Sequence, residues 1–343
     1  MFRPFQAAVF AIIASASFTA PSMAAESVAD FYKGKTVTVI VAAAPGGAHS
    51  LYTQLLAPYW KAEMPGHPSF IISNMGGAGG TKAANYLYNA APQDGSYLSI
   101  LLSDTPLAAR FQATGVKYDP SKFHYLGGAE YTRSMISVLT SSGVKSLDDA
   151  KRKELNCGSS GKGSQTYYIP KLANYFLGTK FKVILGYQGM NPVDAAMDQG
   201  ETNCRAGVYS SMVSLRPHWI TNNFVTQIAA ADDERHPLYP NVPTLIELAK
   251  TQEAKDVMEI FFSGGVLGRA WLAPPKVPMG RVTALREAFW KGFNNPEVLA
   301  AAKKRSMNFE PVRWEKQQAA VEKIMKASDE LFAVARKALD IKG

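Results

Sequence analysis

Cysteine is scarce: the chain of 343 residues has two, Cys157 and Cys204. That excludes a disulfide-dense small-domain framework and a zinc site built on several thiolates. Each cysteine sits in an expected strand. The two can pair in an oxidising compartment only if those strands are neighbours in a compatible register. Histidine is also scarce, and His49, His67, His124, His218 and His236 show no metal-ligand spacing. Catalytic signatures are missing too. Gly158-Ser-Ser-Gly161 is not a nucleophile elbow, because Lys162 stands where Gly-x-Ser-x-Gly needs its second glycine. Gly161-Lys-Gly-Ser164 is not a Walker loop, because a glycine separates Lys162 from Ser164. Gly76-Gly-Ala-Gly-Gly80 lacks the dinucleotide-binding spacing. No Lys/Arg stripe with interleaved aromatics appears, which argues against a nucleic-acid partner. These absences predict a protein that is not an enzyme and needs neither cofactor nor metal.

Long hydrophobic runs are absent as well. The apolar stretch 7–20 is shorter than the roughly twenty residues of a membrane span and contains Ser and Thr. It follows Arg3 and precedes Ser22-Met-Ala24, the pattern of a secretory signal with small residues at its cleavage positions. Residues 1–24 are therefore expected to be removed on export, and no lipobox cysteine is present to tether the product. Their loss takes one Arg and no acid, lowering the formal charge from +9 to +8. A positive balance suits an anionic ligand or partner surface. Lys151-Arg152-Lys153 reads as a solvated helix end, and Asp148-Asp149 and Asp232-Asp233-Glu234 as solvated surface.

The chain is organised around residues 37–57. Val37-Thr-Val-Ile-Val41 is a β-branched apolar run of the kind buried on both faces of a parallel sheet. Pro45-Gly46-Gly47 breaks it, and a helical pattern follows with Ser50 as the expected N-cap. Strand, glycine turn and helix together point free amides at an anion. The device recurs. A strand at 69–73 leads into Asn74-Met-Gly-Gly-Ala-Gly-Gly80 and a helix from Thr81. Leu155-Asn-Cys-Gly158 leads into Ser159-Ser-Gly-Lys-Gly-Ser-Gln-Thr166 and a helix over 167–177. A strand at 180–185 ends in Gly186-Tyr-Gln-Gly189, before a helix opened by Asn191-Pro192. Further strands are expected at 96–102, 135–139, 203–208 and 224–230. After Pro243 the chain reads as helical apart from 261–271, with one amphipathic helix over 314–341. Repeated strand–helix units predict parallel α/β sheets with a ligand at the strands' carboxyl ends. The second unit is inserted in the first, giving two lobes joined by a hinge: 25–131 with 231–343, and 132–230.

In order along the chain, several short motifs resemble the periplasmic solute-binding proteins of tripartite tricarboxylate transporters, the Bug family. They are Phe31-Tyr-Lys-Gly-Lys-Thr36, Ala44-Pro-Gly-Gly47, Asn74-Met-Gly-Gly-Ala-Gly79, Ala83-Ala-Asn-Tyr-Leu-Tyr88 and Ala91-Pro-Gln-Asp-Gly95. Gly158-Ser-Ser-Gly-Lys-Gly-Ser164, Gly186-Tyr-Gln-Gly189, Pro240-Asn-Val-Pro-Thr244 and Leu272-Ala-Pro-Pro-Lys-Val-Pro278 continue the series. The resemblance implies a type II periplasmic-binding-protein fold, with two α/β lobes. It also implies a small organic carboxylate held by backbone amides, hydroxyls and water. Carried over residue by residue, the ligand-binding positions are Ala44, Gly46, Gly47, Ala48 and His49 in lobe one. In lobe two they are Ser159, Ser160, Gly163, Ser164 and Gln165, with Gln188 and Gly189 in a third turn. Ser164 is expected to donate both its hydroxyl and its N–H. The implied protein is a periplasmic monomer that delivers its ligand to a membrane permease. An exported carboxylate-processing enzyme and a ligand-presenting sensor subunit are the alternatives. The chain departs from the family pattern at Ala206-Gly-Val-Tyr-Ser210, where many relatives carry an Asp, and at Ser103-Asp104-Thr105, which brings an acid near the cleft.

Overall fold

The computed structural model describes Met1 and residues 26–111, 115–305 and 307–341. The expected secretory signal over 1–24 lies, Met1 apart, outside the described residues. The apolar run becomes β1 (Thr36–Val41), in which Val37, Val39, Ile40 and Val41 are all buried. With β2 (Ser69–Asn74), β3 (Tyr97–Ile100) and β4 (His124–Gly128) it builds a first sheet. A second sheet takes β5 (Ser134–Leu139), β6 (Leu155–Ser159), β7 (Phe181–Leu185), β8 (Cys204–Val208) and β9 (Val225–Ala231). The chain then returns to the first sheet as β10 (Ala270–Ala273). The orders are β2-β1-β3-β10-β4 and β7-β6-β8-β5-β9.

Neither sheet is wholly parallel, as the strand–helix repeats predict. β10 runs antiparallel to β3 and β4, and β5 runs antiparallel to β8 and β9. These are the strands by which the chain enters each sheet after crossing from the other. They arrive without the βα crossover that keeps neighbours parallel. Cys157 and Cys204 face each other in the parallel β6–β8 register and form a disulfide, with Cα atoms 4.4 Å apart.

Several local expectations are corrected. The helix Ala48–Glu63 is capped by Gly47, whose extended backbone ends the turn, and not by Ser50. Ser50 is buried inside the first turn, where its hydroxyl donates to Ala44 O and accepts from the Asn74 amide. The 261–271 segment is part helical, since the helix Gln252–Phe262 and a 3-10 turn, Ser263–Leu267, precede β10. The last helix is two, Trp314–Lys326 and Asp329–Ala338: the backbone turns extended at Ala327, and Ser328 caps the second by accepting from Leu331 N. Asp232 is 2% exposed, not solvated: Tyr131 packs over it and donates to both Asp232 and Asp233.

The core under the first sheet is aromatic. Trp60 of the Ala48–Glu63 helix meets Phe70, Trp271 and Phe289 edge-on at ring distances of 5.0 to 5.6 Å. A second cluster spans both lobes. In it, Tyr168 of the helix Gln165–Leu177 packs on Phe261, and Phe111 on both Phe261 and Phe332. These contacts hold the two sheets with their carboxyl-end turns facing one cleft.

Candidate functional site: the cleft between the lobes

The strand ends of both sheets open on a narrow cleft with a cavity volume of about 100 Å³. On the lobe-one side, β1 ends in the turn that starts the Ala48–Glu63 helix. The amides of Ala48, His49 and Ser50 have no acceptor among the described residues, and no side chain caps this helix end. Three amides aligned with a helix dipole form an anion site. The left-handed residue of the turn is Gly46, at φ 76°. Gly47 is extended at φ −73°, and a Cβ there would lie 3.3 Å from Ala44 O. Asn74 braces the turn from beneath by donating to Ala43 O at 3.0 Å.

The lobe-two turn is built from the same residue types and finished differently. Ser164 N–H donates to Gly161 O, and so does the Ser164 hydroxyl, each within about 3 Å. The Ser160, Ser164 and Thr166 hydroxyls bond one another in a closed ring, and Ser159 Oγ joins it at Thr166. Thr166 Oγ1 also accepts from Ser160 N–H, and Ser159 Oγ from Gly161 N–H. The donors expected of Ser164 are therefore used inside the turn. The first amide of the Gln165–Leu177 helix is occupied by the chain itself: Gln165 N–H donates to Asp104 Oδ2 at 2.9 Å. The other oxygen of Asp104 accepts from the Tyr168 hydroxyl at 2.5 Å. Asp104 is 3% exposed, and burial pushes its carboxyl up to about 6, against the pull of its two donors.

Glycine lets the lobes meet closely. Cβ atoms added at Gly79 and Gly161 would lie 3.5 to 3.6 Å from the opposing backbone of Gly163 and Gly79. The third turn, Tyr187 to Gly189, starts the helix Met190–Asp198, which also lacks a side-chain cap. Of the sequence candidates, Ala44, Gly47, Ala48, His49, Ser160, Ser164, Gln165, Gln188 and Gly189 line the cleft. Gly46, Ser159 and Gly163 are not part of its lining.

The residue that sequence reasoning misses is Arg269. It precedes β10 in a left-handed conformation, φ 51°, that is uncommon for a residue with a side chain. Its guanidinium is buried in the cleft wall, 3.3 Å from Glu130, 2.7 Å from Ser211 Oγ and 3.1 Å from His49 Nδ1. It stacks on Tyr52, and Ser210 closes the group by donating to Glu130. A guanidinium only donates, so His49 Nδ1 accepts and the ring hydrogen sits on Nε2. Burial, and then the Arg269 charge, hold His49 well below the usual histidine range, so it is neutral at pH 7. A lone arginine after a glycine, one residue ahead of an apolar strand, was the only sequence signal. Gly76 was also missed as a wall residue. It packs against the end of β1, where a Cβ would come within 3.1 Å of Ala44 N.

Among the described residues, no group of three or more His, Cys, Asp or Glu is placed to hold a metal. No described helix is long and apolar enough to cross a membrane. No family model matches the chain, and no curated protein does. Solved structures do. One described as a periplasmic transporter is 24% identical, with a TM-score of 0.68 over 89% of this chain and 98% of that one. The periplasmic binding protein BugD gives 18% identity and a TM-score of 0.69 over 90% of this chain and 98% of its own. A MatC protein from Rhodopseudomonas palustris, with bound malate, gives 21% and 0.68 over 89% and 99%. An R. palustris protein with adipate gives 21% and 0.65 over 89% and 97%. The chain thus has the two-lobed fold of Bug-like periplasmic solute-binding proteins.

Proposed function

We propose that this protein captures a small organic carboxylate between its lobes and delivers it to a tripartite-tricarboxylate-type membrane permease. The observation that carries the reading is the uncapped start of the Ala48–Glu63 helix, whose free amides open on the cleft beside the buried Arg269. Dipole, amides and a nearby guanidinium all favour an anion of carboxylate size. The resemblance of the sequence motifs, and the fold shared with proteins solved with malate and adipate, support the same ligand class. Delivery to a permease rests on the motif resemblance. Export to the periplasm is part of the proposal, and the Cys157–Cys204 disulfide supports it, because such bonds persist in oxidising compartments. Mass spectrometry of exported protein is expected to find an N-terminus at Ala25 or Glu26.

A thermal-shift screen of carboxylates on refolded, ligand-stripped protein tests the ligand class. A binder at a hundred times its Kd adds about 2.7 kcal/mol of stability. Shifts with carboxylates and none with matched alcohols or amines are expected. A panel in which no carboxylate shifts the transition would overturn the reading.

A further inference from the structure

Among the described residues that line the cleft, two side chains carry a full charge, Asp104 and Arg269. Arg269 is neutralised by Glu130, which is itself fully buried. Asp104 has no cationic partner among the described residues; its oxygens rest on the Gln165 amide and the Tyr168 hydroxyl, both neutral donors. Facing it from the neighbouring elements are Tyr168 on the Gln165–Leu177 helix, Thr105 on its own helix, and Tyr118, which donates to Thr105 O. None of these adds a compensating charge. The cleft therefore carries a net fixed charge of −1 before any ligand enters, held by a lobe-one residue against the start of the lobe-two helix Gln165–Leu177. The lobe-one side keeps its amides free.

We infer that Asp104 is a specificity-determining residue that makes the protein select small monocarboxylates over dicarboxylates. The inference rests on the carboxylate reading given above. One carboxylate is accommodated at the free amides of the Ala48–Glu63 helix, in the same cleft that Asp104 lines. A second, at the far end of the same ligand, meets a carboxylate already seated on the helix start that would have received it. Like charges in a space with little water repel strongly. A neutral or amine-bearing far end meets no such penalty. Asp104 acts here as a built-in carboxylate. Malate and adipate, seen in the two R. palustris proteins, are dicarboxylates, so this chain departs from their ligand chemistry while keeping their fold.

Calorimetry at pH 7.5 on refolded, ligand-stripped full-length protein tests this with matched pairs, butyrate against succinate and hexanoate against adipate, with 6-aminohexanoate added. In the wild type the monocarboxylate of at least one pair should bind tenfold or more tighter than its dicarboxylate, and 6-aminohexanoate no worse than hexanoate. Asp104→Asn keeps an acceptor for the Gln165 amide and removes the charge. It should raise the dicarboxylate-to-monocarboxylate affinity ratio at least tenfold, a ratio that a general loss of structure would not move. Asp104→Ser is the substitute if the Asn variant does not fold. If in neither pair the monoacid binds the wild type tenfold tighter than its dicarboxylate, the inference is overturned and the carboxylate reading is left standing. An unchanged ratio in the variant overturns the role of Asp104. If no carboxylate binds either protein, the inference falls together with the carboxylate reading.

Discussion

At the Ala48–Glu63 helix the first three amides have no acceptor among the described residues; at the Gln165–Leu177 helix the first amide holds Asp104. One turn follows β1, the first strand of lobe one, and the other follows β6 in lobe two; both are made of small residues. Gly47 supplies no side chain, so its helix start stays open. Serine and threonine supply hydroxyls that bond one another and the turn backbone, so the second helix start is filled from within. A glycine-rich and a serine-rich turn can look alike as a pattern and differ in function. Glycine leaves donors to the ligand, whereas hydroxyl side chains compete for them.

The strongest way to break this contrast is through the residue that ties the halves together. Arg269 leads into a lobe-one strand but bonds Ser211 on a lobe-two helix, and it neutralises Glu130. Arg269→Met strands a buried carboxylate, and a loss of about 3–5 kcal/mol in urea denaturation is expected. Adding Glu130→Gln to the same chain should restore a large part of it. A loss below about 1 kcal/mol for Arg269→Met alone would show that the cleft wall does not depend on this pair.

The next largest effect separates the lobes by their cores. Lobe two has a staple that lobe one lacks, closing a loop of 47 residues between Cys157 and Cys204. Replacing both with Ser should cost about 2–4 kcal/mol, by freeing the unfolded chain. The second lobe should then open first, seen as faster hydrogen exchange in β6 and β8 than in β1 and β3. Equal acceleration in both sheets would mean that the shared apolar seam of Tyr168, Phe261 and Phe332 makes the lobes one folding unit.

What the sequence made legible follows from how local each signal is. β1 and its turn are readable because Val37 to Val41 and Pro45-Gly46-Gly47 are contiguous, and each step has a short-range cause. The mixed sheets were hidden, because the direction of β5 and β10 depends on where the chain crosses between lobes. The disulfide needed the β6–β8 register, which spacing does not provide. Asp104 was visible as an acid near the cleft, but its hold on Gln165 joins residues 61 apart across two lobes. Arg269 left almost no trace, because its reach depends on a left-handed backbone that a sequence does not announce.

A smaller effect comes from titration, and it distinguishes the crossing segments from the turns. Asp232, just past β9, is pushed up to about 8 by burial and by Asp233 beside it, while Asp233 is lowered, so the pair holds one proton. The folded state thus binds a proton that the unfolded chain releases near its ordinary value of 3.8. Stability is highest at low pH on this account and falls as pH rises from about 4 towards 8, by at most about 1.4 kcal/mol per unit. Asp104 has the same sign, but its window closes near 6. Between pH 6 and 8 the slope should therefore flatten in Asp232→Asn and persist in Asp104→Asn. The reverse pattern in thermal melts would assign the titration to the turn.

The smallest expected effect tests the contrast most directly. Ser164 is 2% exposed, and both its hydroxyl and its N–H are engaged with Gly161 O. Ser164→Ala breaks the hydroxyl ring and leaves Ser160 and Thr166 short of a partner. A stability loss of about 1–3 kcal/mol should result. No donor to the ligand is removed, so the affinity of the folded variant should change less than about threefold, or roughly 0.6 kcal/mol. Gly47→Val sits at the corresponding point of the other turn, with its first side-chain carbon 3.3 Å from Ala44 O at the mouth of the free amides. It should weaken binding by tenfold or more with a smaller change in melting temperature. Lys162 is exposed within the lobe-two turn, and Lys162→Ala should leave affinity within the same threefold band as Ser164→Ala. Calorimetry and melting on the three variants then give two opposite profiles, stability lost without affinity in lobe two and affinity lost without much stability in lobe one. If Ser164→Ala instead lowers affinity tenfold or more, its hydroxyl leaves the ring to meet the ligand, and the two turns are equivalent after all.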